Sequence, residues 1–102
     1  MKKTFILTNP TNKTARLVEA AKYEVSKYLK REEKKKLPDG ADYWDFDCRY
    51  GTTAEDARSI HRAEINKCID EAEAGGLESF YLEILAKPGH RKKKPESIIQ
   101  ED

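Results

Sequence analysis

The chain has 102 residues, 38% of them charged, and its 20 lysines and arginines nearly balance 19 aspartates and glutamates. That length suits one domain with one modest core, burying roughly two-thirds of the unfolded surface, and the balanced charge names no partner by itself. Cys48 and Cys68 are the only cysteines, and no apolar run resembles a signal peptide or a membrane span, so a cytoplasmic address with reduced thiols is expected.

In chain order, Lys3-Thr4-Phe5-Ile6-Leu7-Thr8 has strand composition and ends at the turn formers Asn9-Pro10-Thr11-Asn12. From Thr14, the residues Leu17, Val18, Ala21, Val25, Tyr28 and Leu29 recur at helical spacing, which predicts an amphipathic helix. It frays through Arg31-Glu32-Glu33-Lys34-Lys35-Lys36 and stops at Leu37-Pro38-Asp39-Gly40. Trp44, Phe46, Cys48 and Tyr50 then alternate with Tyr43, Asp45, Asp47 and Arg49, a second strand whose first set faces the core. Thr52 and Glu55 fit a capping box, and Ile60, Ile65, Cys68, Ile69 and Ala72 supply the stripe of a second helix closed by Gly75-Gly76. Phe80, Leu82, Ile84 and Ala86 alternate with Tyr81, Glu83, Leu85 and Lys87 in a third strand, which Pro88 and Gly89 stop near Lys87. The cations Arg91, Lys92, Lys93 and Lys94 follow.

Short connections in a strand-helix-strand-helix-strand chain predict parallel strands, and right-handed crossovers with both helices on one face give the order 1-2-3. The fold class read from the sequence is therefore α/β, a two-layer sandwich with a three-stranded sheet. Because parallel sheets are usually covered on both faces, an α+β fold with a mixed or antiparallel sheet is the alternative. Residues 1–94 make the domain and residues 95–102 a flexible tail.

No catalytic constellation is identified, and neither G-x-x-x-x-G-K-[ST] nor G-x-G-x-x-G occurs, so no cofactor is expected. A parallel sheet would bring Arg49, Thr52, Thr53, Lys87, His90 and Arg91 to its carboxyl edge, beside Thr8, Asn9, Asn12, Lys13 and Thr14 of the first loop. Cations and helix N-termini together favour phosphate or carboxylate there. The expected function is a small anion-binding module for a phosphate-bearing ligand or a nucleic-acid backbone. The alternative is a protein-interaction module that meets a partner, or a second copy, through the charged outer sheet face.

Three further constellations carry less. Asp45, Asp47 and Glu83 could hold a divalent ion for metal-assisted hydrolysis, but Arg49 and Lys87 are near enough to neutralise them. His61 on the second helix's stripe, with Cys48 and Cys68, has the residue types of a zinc or nucleophilic site; without C-x-x-C or H-x-x-x-H spacing, a buried, hydrogen-bonded histidine packed near two core thiols is the preferred reading. The basic run at residues 30–36 could track a nucleic-acid backbone, yet Glu32 and Glu33 interrupt it.

The segments Tyr43-Trp44-Asp45-Phe46-Asp47-Cys48-Arg49 and Leu77-Glu78-Ser79-Phe80-Tyr81-Leu82-Glu83-Ile84-Leu85-Ala86-Lys87-Pro88-Gly89-His90-Arg91 resemble the hallmark segments of a family of small uncharacterised bacterial proteins. The resemblance runs from Lys3 to about Lys94 and implies a bacterial, cytoplasmic, single-domain protein. It brings no activity and no functional residues with it.

Overall fold

A computed structural model describes residues 1–11 and 13–91. Its elements are β1 (Lys2–Ile6), α1 (Thr14–Glu33), β2 (Tyr43–Gly51), β3 (Arg58–Ile60), a short 3-10 turn (Arg62–Glu64), α2 (Ile65–Ala74) and β4 (Ser79–Gly89). The four strands form one sheet in the order β1-β4-β2-β3, and every neighbouring pair is antiparallel. The fold is thus α+β. Since β1 and β2 both run opposite to the β4 between them, the two β-α-β units are interlocked, each enclosing a strand of the other.

This corrects the parallel, three-stranded α/β reading, and the error has a local cause. Residues 52–60 do not begin a helix: the Asp56 carboxylate accepts from the Thr52 hydroxyl and, at 2.9 Å, from the Thr53 N–H. Both threonines are thereby drawn into a loop that turns the chain back into β3, where Cys48 pairs with Ile60 and Tyr50 with Arg58. A Cβ on Gly51 would stand 2.6 Å from the Ala57 Cα, so this return demands glycine. The capping box lies further on and uses a histidine. His61 Nδ1 accepts from the Ala63 N–H at 3.0 Å, and Glu64 Oε1 accepts from the His61 N–H at 2.8 Å. With an extra strand before the helix, the last strand returns between β1 and β2, antiparallel to both.

Pro88 does not end β4, which continues to Gly89. The Ile84 N–H donates to the Met1 carbonyl at 2.7 Å, so even-numbered residues of β4 point their backbone toward β1. At Pro88 that side lies beyond the end of β1, and the missing N–H leaves no ladder bond unmade.

The core lies between the helices and one face of the sheet. Val18, Ala21, Val25 and Leu29 of α1 and Ile65, Cys68, Ile69 and Ala72 of α2 cover Phe46, Cys48 and Tyr50 of β2 and Phe80, Leu82 and Ile84 of β4. Phe5 stacks on Phe80 with ring centroids 5.1 Å apart. Trp44 shares this inner face but is only partly buried, and its Nε1–H donates to the Lys35 carbonyl at 2.8 Å, tying the chain after α1 to the start of β2. A Schellman closure ends α2: the Leu77 N–H donates to Ala72 O at 3.0 Å and the Gly76 N–H to Glu73 O at 3.1 Å, with Gly76 at φ +69°. No helix among the described residues is long and apolar enough to cross a membrane.

Candidate functional site

The antiparallel sheet separates the six residues expected to share a carboxyl edge. Gly51 pairs with Tyr81 and Tyr43 with Gly89, so the two groups leave opposite ends of the β2–β4 ladder. Thr52 and Thr53 follow Gly51, whereas His90 and Arg91 follow Gly89. Eight residues of strand put about 27 Å between these ends. Each of the six also has a local partner. Arg49 donates to the Ala57 carbonyl at 2.7 Å and stands 4.0 Å from Glu83. Lys87 pairs with Asp47 at 2.8 Å and lies 4.0 Å from Asp45, and the Asp47 hydrogen bond raises its pKa. His90 Nδ1–H donates to the Gly40 carbonyl at 2.9 Å, and the Arg91 N–H donates to the Asp42 carboxylate at 2.7 Å. In the first loop, Asn9 Oδ1 accepts from the Thr11 N–H at 2.8 Å, and Lys13 caps α1 with no side-chain bond. Asn12, Lys92–Lys94 and the expected tail at 95–102 lie outside the described residues.

Among the described residues no helix lies over the outer sheet face. Its charges are paired across strands, Asp45 opposite Lys87 and Arg49 opposite Glu83, and the Tyr81 hydroxyl donates to Glu83 at 2.8 Å. Among the described residues no three His, Cys, Asp or Glu side chains converge as a metal site. That covers both Asp45-Asp47-Glu83 and the His61-Cys48-Cys68 grouping: His61 is an exposed cap residue, while both thiols are buried and free. Burial pushes the Cys48 thiol up to about 11 and raises Cys68 as well, which keeps both as thiols rather than nucleophilic thiolates.

Unpaired charge gathers instead on the solvent face of α1. At about 100° per residue, Arg16, Tyr23, Lys27, Lys30 and Lys34 share the stripe opposite the buried Val18, Val25 and Leu29. All five are exposed, and Tyr23 reaches 68%. The four cations join no salt bridge among the described residues. The two glutamates that interrupt the basic run in sequence are turned to other sides of the helix. Glu32 is 9% exposed and held by Lys35 at 2.9 Å; Glu33 receives Arg62 at 2.7 Å. The Arg62 hydrogen bond lowers the Glu33 pKa, and the same guanidinium lies 5.0 Å over the Phe46 ring.

Two hollows adjoin this stripe and share Ser26 and Lys30. A shallow one of about 430 Å³ is lined by Tyr23, Ser26, Lys27, Lys30, Arg31 and Lys34. The other, about 380 Å³, runs between α1 and the start of α2, with Val25, Leu29 and Ile65 as apolar lining and Ser26, Lys30 and His61 among its polar groups. His61 Nδ1 acts as an acceptor, so the neutral ring carries its proton on Nε2. Helical phase was the sequence signal for this face: Lys27, Lys30 and Lys34 follow Tyr23 at steps of four, three and four, while Glu32 and Glu33 fall outside that series.

Residues 1–95 match the model of a family of unknown function, DUF6172, and the chain belongs to that family. No curated protein and no solved structure matches the chain.

Proposed function

We propose that this family member binds an extended polyanion, a nucleic-acid backbone, through the solvent face of α1. The observation that carries the reading is the stripe of Arg16, Lys27, Lys30 and Lys34, in which Glu19 beside Arg16 is the acid that remains and from which Glu32 and Glu33 are withdrawn by Lys35 and Arg62. At 1.5 Å per residue the stripe extends about 27 Å along the helix. A small phosphate would meet one or two of these cations, whereas a nucleic-acid strand can meet them in succession and release counterions at each. Tyr23 sits within the stripe as an exposed ring on which a base or sugar can stack. Neither hollow is lined by a glycine-rich loop of the kind that cradles a nucleotide's phosphates, so the reading favours backbone contact with little sequence preference.

The test is fluorescence anisotropy with labelled single-stranded and duplex oligonucleotides of unrelated sequence, over a series of salt concentrations. Binding should weaken linearly in log-log form as salt rises. Lys27→Gln/Lys30→Gln/Lys34→Gln should reduce the slope by about 2 on a single strand. Unchanged affinity and slope in that variant would overturn the assignment. So would a truncation after Arg91 that abolishes binding while the triple variant keeps it, since the cations responsible would then be Lys92–Lys94.

A further inference from the structure

We infer that β1 is a self-pairing edge: two copies of the chain join antiparallel through β1, continuing the sheet across a two-fold axis at Thr4. The inference is independent of the polyanion reading. The backbone pattern fixes which groups are available. Met1 and Ile84 exchange N–H and C=O bonds at 2.7 Å, and the Leu7 N–H donates to Glu78 O at 2.7 Å. Odd-numbered residues of β1 therefore face β4, and the alternation of an antiparallel ladder directs the N–H and C=O groups of Lys2, Thr4 and Ile6 outward. β1 is the terminal strand of the sheet. Among the described residues no turn, loop or side chain bonds to these outward groups.

The register with a second copy follows from charge. Thr4 opposite its twin places Lys2 against Ile6 and Lys3 against Phe5, so no like charges oppose, and all three outward residues of both strands enter the ladder. Moving the register so that Lys2 meets Thr4 sets Lys3 against Lys3 and uses only two outward residues per strand. The opposite move, Thr4 against Ile6, avoids that clash but also uses only two. Ile6, 58% exposed in the single chain, gains the aliphatic stem of the other copy's Lys2. This edge has lysines but neither proline nor bulge to blunt it, and only the Thr4-centred register keeps those lysines apart while bonding fully. Because α1 overlies β1 through the Lys3–Glu24 pair at 2.7 Å, the dimer carries both α1 helices on one side of the joined sheet.

The full-length chain carrying Thr4→Cys provides the test. In a hydrogen-bonded antiparallel pair the two Cα atoms stand about 5.5 Å apart, within disulfide reach, and the buried native thiols do not compete. Mild oxidation should give a species of twice the 11.8 kDa chain mass on a non-reducing gel. Lys2→Cys should not link to itself, its twin lying about 14 Å away in this register. Thr4→Pro removes only an outward N–H, so by sedimentation it should be a folded monomer while the unmodified chain is a dimer. If Thr4→Pro loses its circular dichroism, the cysteine pair decides. A monomeric unmodified chain, no Thr4→Cys crosslink, equal crosslinking of Lys2→Cys, or a folded dimer in Thr4→Pro would each overturn the inference.

Discussion

Two surfaces of this molecule are dense in charge, and they differ in how the charge is arranged. On the outer sheet face the strand register sets Asp45 against Lys87 and Arg49 against Glu83, so acids and bases satisfy one another. On the solvent face of α1 the helical repeat gathers Lys27, Lys30 and Lys34 without acids between them, and Glu19 stands between these lysines and Arg16. Three nearby glutamates are engaged elsewhere, Glu24 by Lys3, Glu32 by Lys35 and Glu33 by Arg62. A net charge of +1 conceals both arrangements. What a polyanion meets is set by local pairing, because fields between exposed charges are screened beyond about 8 Å at physiological salt.

The largest contrast should appear in binding. Lys27→Glu/Lys30→Glu/Lys34→Glu is expected to lower oligonucleotide affinity at low salt by about a hundredfold or more, whereas Arg49→Glu/Lys87→Glu should change it by less than about threefold. Equal losses would place the binding on both surfaces and erase the contrast.

Stability should separate the faces of β4 just as sharply. Phe80 is fully buried between the helices and the sheet, and Phe80→Ala should cost about 3–5 kcal/mol in urea unfolding. Leu85 stands on the outer face at 40% exposure, and Leu85→Ala should stay within about 0.5 kcal/mol. A loss near that of Phe80 would mean that something covers the outer face in solution. The thiols sharpen the same division. With Cys48 held at about 11 by burial and Cys68 raised, neither should react with a small disulfide reagent in the native protein at pH 8, and both should react on denaturation.

The parts of the fold legible in the sequence were those with enough residues to show a period. Twenty residues of α1 and the alternations of β2 and β4 stand where spacing puts them. The sheet's topology was not legible, because it turns on β3, whose three residues Arg58-Ser59-Ile60 are too few to alternate convincingly. Thr52 and Glu55 offered a cap at the expected spacing, while Asp56 in fact held the threonine hydroxyl, and a short loop left little to choose between them. Misplacing that one strand made the sheet parallel and collected Arg49, Thr52, Thr53, Lys87, His90 and Arg91 on an edge this sheet does not have. The basic face of α1 was obscured for a simpler reason: Glu32 and Glu33 adjoin the lysines in sequence but are turned away from them by helical phase.

The smallest expected effect tests how that separation is kept. Glu33 and Lys30 line the same hollow, and Arg62 holds the Glu33 carboxylate at 2.7 Å. That bond lowers the Glu33 pKa below its ordinary value. The group therefore stabilises the fold fully above the unfolded carboxyl pKa of about 4.3, and the contribution is lost as pH falls through the lower folded value. Because both side chains are substantially exposed, Arg62→Gln should cost only a few tenths of a kcal/mol at neutral pH, and the difference from the unmodified chain should vanish under more acidic conditions. The effect on binding has the same origin. Without Arg62, Glu33 is a free carboxylate beside Lys30, so oligonucleotide affinity should fall a few-fold at neutral pH and recover as Glu33 is protonated. Arg62→Gln/Glu33→Gln should restore affinity at neutral pH by removing the unpaired charge. If the single variant binds less tightly at every pH and the double variant does not recover, Arg62 itself touches the polyanion, and the basic surface extends from α1 across the groove to the start of α2.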